Sequence, residues 1–420
     1  MVEMHEHPGR VEWTPVFVLF LAYVFMILTF RIPGATVTMA AALLSLTLMR
    51  NAFLAPTFLW LFAAWLVWAV LGYAVTPYRD QVWGSLTEHA KILLVTVVAV
   101  NALRTPAQIR AFMLFVLVSF ILFPIRSTLT NYLLGYTLLG RAVGPFIYQN
   151  PNDLAAHAIL VLGLALALWA GPVHKGPVRW IGLGSTALLI ITIVLTQSRG
   201  GLLGLMAMGL PSGISLARRR PRLVPLFVGI VGLALLLAPA ALWERLGGLG
   251  KATNVETIRE MDPEGSAEQR FAVLKTAARI IADHPVLGIG LGAYHLANAD
   301  YSPDLGLKDT HNTYMNVAAE TGVPGLILFL ALVGSVLLSA RAARRGAGPA
   351  AAAQAEEVRW LQYSVTGYLV AAVFGSYARL AVSYLFLALL WSAARATSEV
   401  SLYDEADHEA TSRTAPAHGR

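Results

Sequence analysis

Three short polar motifs break an otherwise apolar chain, and their residue types suit acid–base and phosphate chemistry. Thr310-His311-Asn312-Thr313-Tyr314-Met315-Asn316 leads at once into Glu320-Thr321-Gly322-Val323-Pro324-Gly325 and an apolar run. An unperturbed imidazole titrates at about 6.5, so His311 is a usable general base near neutral pH. Thr196-Gln197-Ser198-Arg199-Gly200-Gly201 interrupts a second apolar stretch. An arginine in mid-bilayer costs about 2.5–3.5 kcal/mol, so Ser198 to Gly201 reads as a tight turn at a membrane face. Arg199 offers a planar fork of donors suited to phosphate oxygens, and the double glycine would let backbone N–H groups approach a ligand. Arg270, within Glu268-Gln269-Arg270, joins this set only if its loop folds back toward Arg199.

Each of these residues also has a plainer reading. Arg199 could be topogenic, Arg270 a solvated helix residue and His311 a solvated loop histidine. His284 precedes Pro285 at a helix end, where a capping role suffices, and His295 could equally be a surface residue. No close His/Asp/Glu set has metal-ligand spacing, and no cofactor is expected. Gly247-Gly248-Leu249-Gly250-Lys251 lacks the spacing and the hydroxyl of a phosphate-binding loop, and no nucleophile elbow is present.

The elements that must position these motifs are membrane helices. The chain has 420 residues, 57% hydrophobic and 13% charged, whereas soluble domains are about 25% charged. Its net charge of +7 follows from arginines placed between apolar runs, which points to membrane topology rather than nucleic acid. With no cysteine, disulfides and thiolate chemistry are excluded. Twelve spans are expected, near 16–30, 34–49, 56–75, 89–102, 108–125, 154–170, 178–197, 200–216, 223–241, 323–340, 358–378 and 380–396. One set of short loops carries Arg50, Arg104, Arg110, Lys175, Arg179, Arg218 to Arg220, Arg222, Arg341, Arg344, Arg345 and Arg359. The other carries Arg31, Arg79, Arg126, Arg141, Arg199 and Arg379. The richer set should be cytoplasmic, which puts both termini in the cytoplasm and the long segment 242–322 outside it.

Within that segment a helix is expected from about Ser266 to Asp283, with Ser266 as N-cap and Phe271, Leu274, Ala278 and Ile281 at helical spacing. Pro285 stops it. The chain thus divides into nine spans (1–241), a large loop (242–322), three spans (323–397) and a polar tail (398–420) expected to be disordered. The two-halves repeat common in transporters is not evident.

In order along the chain, these motifs resemble the bacterial O-antigen ligase family. The resemblance rests on Thr196 to Gly201, Arg270, His284-Pro285-Val286-Leu287-Gly288-Ile289-Gly290, His311-Asn312-Thr313-Tyr314 and Gly322-Val323-Pro324-Gly325. Pro145-Phe146-Ile147-Tyr148-Gln149-Asn150-Pro151-Asn152 is similar to an upstream family segment. The resemblance implies a polytopic all-α, GT-C-like glycosyltransferase of the inner membrane, with a large periplasmic loop over its site. It implies a glycan on undecaprenyl pyrophosphate as donor and lipid A–core as acceptor, transferred without metal and with inversion. Arg199 and Arg270 would hold the pyrophosphate and His311 would be the catalytic residue, with Asn152, Tyr294 and Asn312 as further substrate contacts. Related polymerases and protein O-oligosaccharyltransferases share the module, and a lipid-linked glycan flippase is the alternative from another class. Oligomeric state is not readable from the sequence.

Overall fold

A computed structural model describes residues 11–29, 33–49, 52–240, 242–243 and 266–414. Arg31, Arg50, the loop stretch 244–265 and the last residues, 415–420, lie outside the described residues. The described residues are helical and contain no strand. The helices are α1 (Pro15–Thr29), α2 (Ala35–Leu46), α3 (Thr57–Tyr73), α4 (Arg79–Ala102), α5 (Pro106–Phe120) and α6 (Arg126–Leu133). After these come α7 (Pro151–Ala170), α8 (Pro177–Leu195), α9 (Arg199–Arg219) and α10 (Val224–Leu236). The loop contributes α11 (Ser266–Asp283) and α12 (Tyr294–Tyr301), and α13 (Thr313–Arg345), α14 (Ala352–Ala371) and α15 (Ala381–Thr414) complete the order.

A helix stands at each of the twelve expected spans, but among the described residues six segments are long and apolar enough to cross a membrane: α4, α5–α6 together, α7, α8, α9 and α13. At 1.5 Å per residue the twelve residues of α2 reach about 18 Å, short of a core about 30 Å thick. Two boundaries move for physical reasons. α4 begins at Arg79 rather than near 89, because Val82 and Leu86 of its first turns are buried against the protein while Arg79, Asp80 and Glu88 are exposed. α5 runs on to Leu133 through a π-helical turn at Ile121–Ile125 that accommodates Pro124.

The tail differs from expectation as well. α15 continues to Thr414, where disorder was expected from 398. No proline or glycine interrupts that stretch, Arg395 pairs with Glu399 one turn on at 2.5 Å, and Ser401 Oγ accepts the Gly348 N–H at 3.1 Å.

α7 is the axis of the bundle, with 94% of its apolar window buried, packed by α8, α9, α14 and α5. Its alanines and Gly163 let neighbours come close; a Cβ on Gly163 would run into Ser364 of α14. Asn150 and Pro151 start this helix at the same end of the bundle at which α9 starts.

Candidate functional site

Three helix N-termini meet at one end of the bundle. Each opens on a residue whose side chain accepts the helix's own orphan N–H groups: Asn150 for α7, Ser198 for α9 and Asn312 for α13. Side chains tie the three together. Asn152 Oδ1, in the first turn of α7, accepts Ser198 Oγ at 2.7 Å and Arg141 Nη2 at 3.0 Å. Tyr377 OH donates to Asn152 O at 3.1 Å, and the Tyr377 N–H donates to Thr313 Oγ1 at the start of α13. Thr313 Oγ1 in turn donates to Gly375 O at 2.6 Å. Helix N-termini carry partial positive charge, so this junction favours an anion.

The residue before two of these caps is bent into the left-handed region. Gln197 and His311 both have φ near +50°, a conformation that costs a non-glycine residue of order 1–3 kcal/mol. Gln197 is held there by donating from Nε2 to Gly140 O at 2.9 Å. His311 is held by its neighbours: Thr310 Oγ1 donates to Asn312 O and accepts the Asn312 N–H, and Thr310 N–H donates to Asp309 Oδ1 at 2.8 Å. Ser376 Oγ also donates to Asp309 Oδ1, at 2.9 Å.

Behind His311 the chain is locked by glycines. Gly322 (φ +71°) breaks α13 into two helices. A Cβ at Gly322 would strike the Val286 carbonyl, and one at Gly288 (φ +66°) would strike the backbone of Glu320. The two strands of chain are laced by Ile289 N–H to Ala319 O, Gly290 N–H to Glu320 O and Val323 N–H to Pro285 O, at 2.8–3.0 Å. Trp68 Nε1–H of α3 donates to Thr321 O at 2.9 Å and Thr76 Oγ1 to Ile289 O at 2.5 Å, so the loop is pinned to the bundle.

The electrostatics of His311 join it to Arg270. Burial lowers its pKa from 6.5, Arg270 lowers it further, and Asp309 opposes them. The imidazole is therefore neutral at pH 7 and able to take a proton. Arg270 also acts electrostatically on Tyr377, whose hydroxyl donates to Asn152 O. The loop thus folds back: Arg270 is within electrostatic range of His311 and Tyr377, and Tyr377 touches Asn152, which touches the residue before Arg199.

Arg199 is the first residue of α9, not part of the preceding turn, which comprises Thr196 to Ser198. Gly200 and Gly201 serve packing: added Cβ atoms would lie 2.6 Å from Phe374 and from Ala155. Asn312 spends its side chain on the Tyr314 and Met315 N–H groups, which fixes the residue next to His311. Tyr294 is buried and donates to Val273 O at 2.9 Å, holding the helix that carries Arg270. His284 has its ring Nε2 3.2 Å from Tyr301 OH. The sequence reading missed Arg141 and Tyr377. Arg141, whose Nε also donates to Thr196 O at 2.8 Å, looked like any loop arginine, and Tyr377 belongs to no motif.

Residues 184–330 match the family model described as O-antigen ligase, which supports membership of that family. Arg199, Arg270 and His311 all fall inside the matched range. No curated protein matches the chain.

Proposed function

We propose that this O-antigen ligase family chain moves a glycan from undecaprenyl pyrophosphate to a sugar of lipid A–core, on the periplasmic face of the inner membrane. The observation that carries the reading is the junction itself. A neutral, half-buried histidine shares one end of the bundle with three arginines and three helix N-termini.

In this reading the donor's pyrophosphate rests against Arg199, Arg270 and Arg141. An acceptor hydroxyl attacks the anomeric carbon while His311 takes its proton. The bond from that carbon to the bridging phosphate oxygen breaks, and undecaprenyl pyrophosphate leaves with the electron pair. Charge growing on the leaving oxygen is stabilised by the arginines, each worth about 10²–10³ in rate by analogy with other preorganised donors. Two or more fixed cations can replace a divalent ion, so transfer should persist in chelator. In-line attack inverts the anomeric configuration.

The test is transfer by purified protein supplied with undecaprenyl-pyrophosphate-linked glycan and lipid A–core. Capped lipid A–core is the expected product, and lengthening of the donor would instead make the chain a polymerase. Replacing His311 by Ala should lower the rate by about 10²–10⁴ with an unchanged melting transition. Near-normal transfer by a folded His311→Ala protein would sink the base assignment.

A further inference from the structure

A cavity of about 280 Å³ is lined by Asp309, two residues before His311, and by Asn316 in the first turn of the helix that follows it. One wall is the first turns of α4, with Gln81, Ser85 and Glu88; the facing wall is Asp309, Asn316 and Glu320, from the segment that carries His311. Arg141, Arg199 and Arg270 do not line it. Two of its groups are fixed from behind. Glu320 Oε1 accepts Asn316 Nδ2 at 3.1 Å and the Tyr294 N–H at 3.3 Å, and Asp309 is held by Ser376 and Thr310. Glu88 and Arg379 are exposed at the rim, and His295 is half-buried beside them.

The lining is therefore a mixture of carboxylate, amide, hydroxyl and imidazole, with three carboxylates against one guanidinium. Such groups accept from and donate to vicinal hydroxyls, whereas a phosphate would meet mainly like charge. The volume is near the small end of the ligand-pocket range of about 300–1,000 Å³, which suits a single ring rather than a chain of sugars. Asp309, which lines the cavity, raises the His311 pKa, and Arg270, which does not line it, lowers it.

We infer that this cavity is the acceptor subsite and holds one phosphate-free hexose or amino-sugar ring, with its nucleophilic hydroxyl toward His311. The inference rests on the glycosyl-transfer reading above. Gln81, Glu88 and His295 are then specificity-determining residues, while Glu320 and Asn316 are positioning residues that shape the wall.

The chain has no cysteine, so Ser85→Cys gives a single thiol in the cavity of the full-length protein, and His295→Cys is a second site should the first fold poorly. Maleimide labelling of either thiol is followed with dephosphorylated core oligosaccharide, or with undecaprenyl pyrophosphate, as the protecting probe. A probe at ten times its Kd leaves the site free about a tenth of the time, so the oligosaccharide should slow labelling about tenfold. Undecaprenyl pyrophosphate should leave the rate unchanged, and Glu88→Lys should raise the half-protecting oligosaccharide concentration about tenfold. Protection by undecaprenyl pyrophosphate, or by neither probe, overturns the inference. Transfer by the wild-type protein is measured in parallel. Transfer without protection overturns the subsite alone; protection without transfer keeps a sugar site and sinks the transferase reading.

Discussion

As the proposed base, His311 has to be neutral before attack and cationic after it, and its surroundings pull in both directions. Burial and Arg270 lower its pKa while Asp309 raises it. A base is active above its pKa, so the acid limb of the rate profile should fall below pH 6.5, the unperturbed histidine value. Arg270→Gln removes a lowering influence and should move that limb upward; Asp309→Asn removes a raising one and should move it downward. Opposite shifts of kcat/KM against pH, measured on both variants, check the assignment, and a limb that moves in neither protein would remove His311 from the proton transfer. The polar character of His311, Arg199 and Arg270 amid apolar sequence singles them out as candidates in the sequence. Arg141 and Tyr377 are not singled out there, because an arginine in a short loop fits topology equally well, and the role of Tyr377 exists only through its contacts with Asn152 and Thr313.

At the scale of elements, the extent of helix α11, Ser266 to Asp283, was readable, but its buried face is Val273, Thr276, Ala277 and Ile280, whereas Phe271 and Ala278 of the expected face are exposed. The break at Gly322 falls where a span was expected to start, at 323. What could not be read is why the His284 to Gly292 segment carries its glycines. They let that chain lie against Glu320 and Gly322 with backbone touching backbone, a contact between segments about thirty residues apart. Gly322→Ala would combine a positive φ, costing roughly 1–2 kcal/mol, with a clash costing roughly 1–3 kcal/mol more. It should destabilise the protein and uncouple the histidine segment from α3. Gly209→Ala, within α9 where a Cβ meets nothing, should change stability by less than about 1 kcal/mol. Thermal unfolding of the two in the same detergent makes the comparison, and equal melting points would show that the glycine lock is not what holds the segment.

Taken as a whole, the molecule separates two kinds of charge toward its two ends. One end gathers Arg141, Arg199, Arg270 and His311. The other gathers pairs on the buried carboxylates of α14, with Arg110 Nε 2.9 Å and His174 Nε2 3.5 Å from Glu357, and Arg220 Nε 3.5 Å from Glu356. Arg110, Arg220 and their neighbours are the set that the positive-inside rule assigns to the cytoplasm, so the folded contacts group the loops as the charge count does. Helices were legible because a lipid-facing surface imposes long apolar runs; the number that cross is less so, because α2 and α10 are apolar yet short. Sidedness is then a prediction about the entire chain, and the absence of cysteine makes it measurable on an otherwise native sequence. Leu307 is exposed in the segment before His311, and Lys175 is exposed at the opposite end. In cells whose outer barrier is opened, a membrane-impermeant maleimide should label Leu307→Cys at once and Lys175→Cys only after the inner membrane is broken. The reverse order would place His311 and its arginines in the cytoplasm, where a donor displayed on the periplasmic leaflet could not reach them.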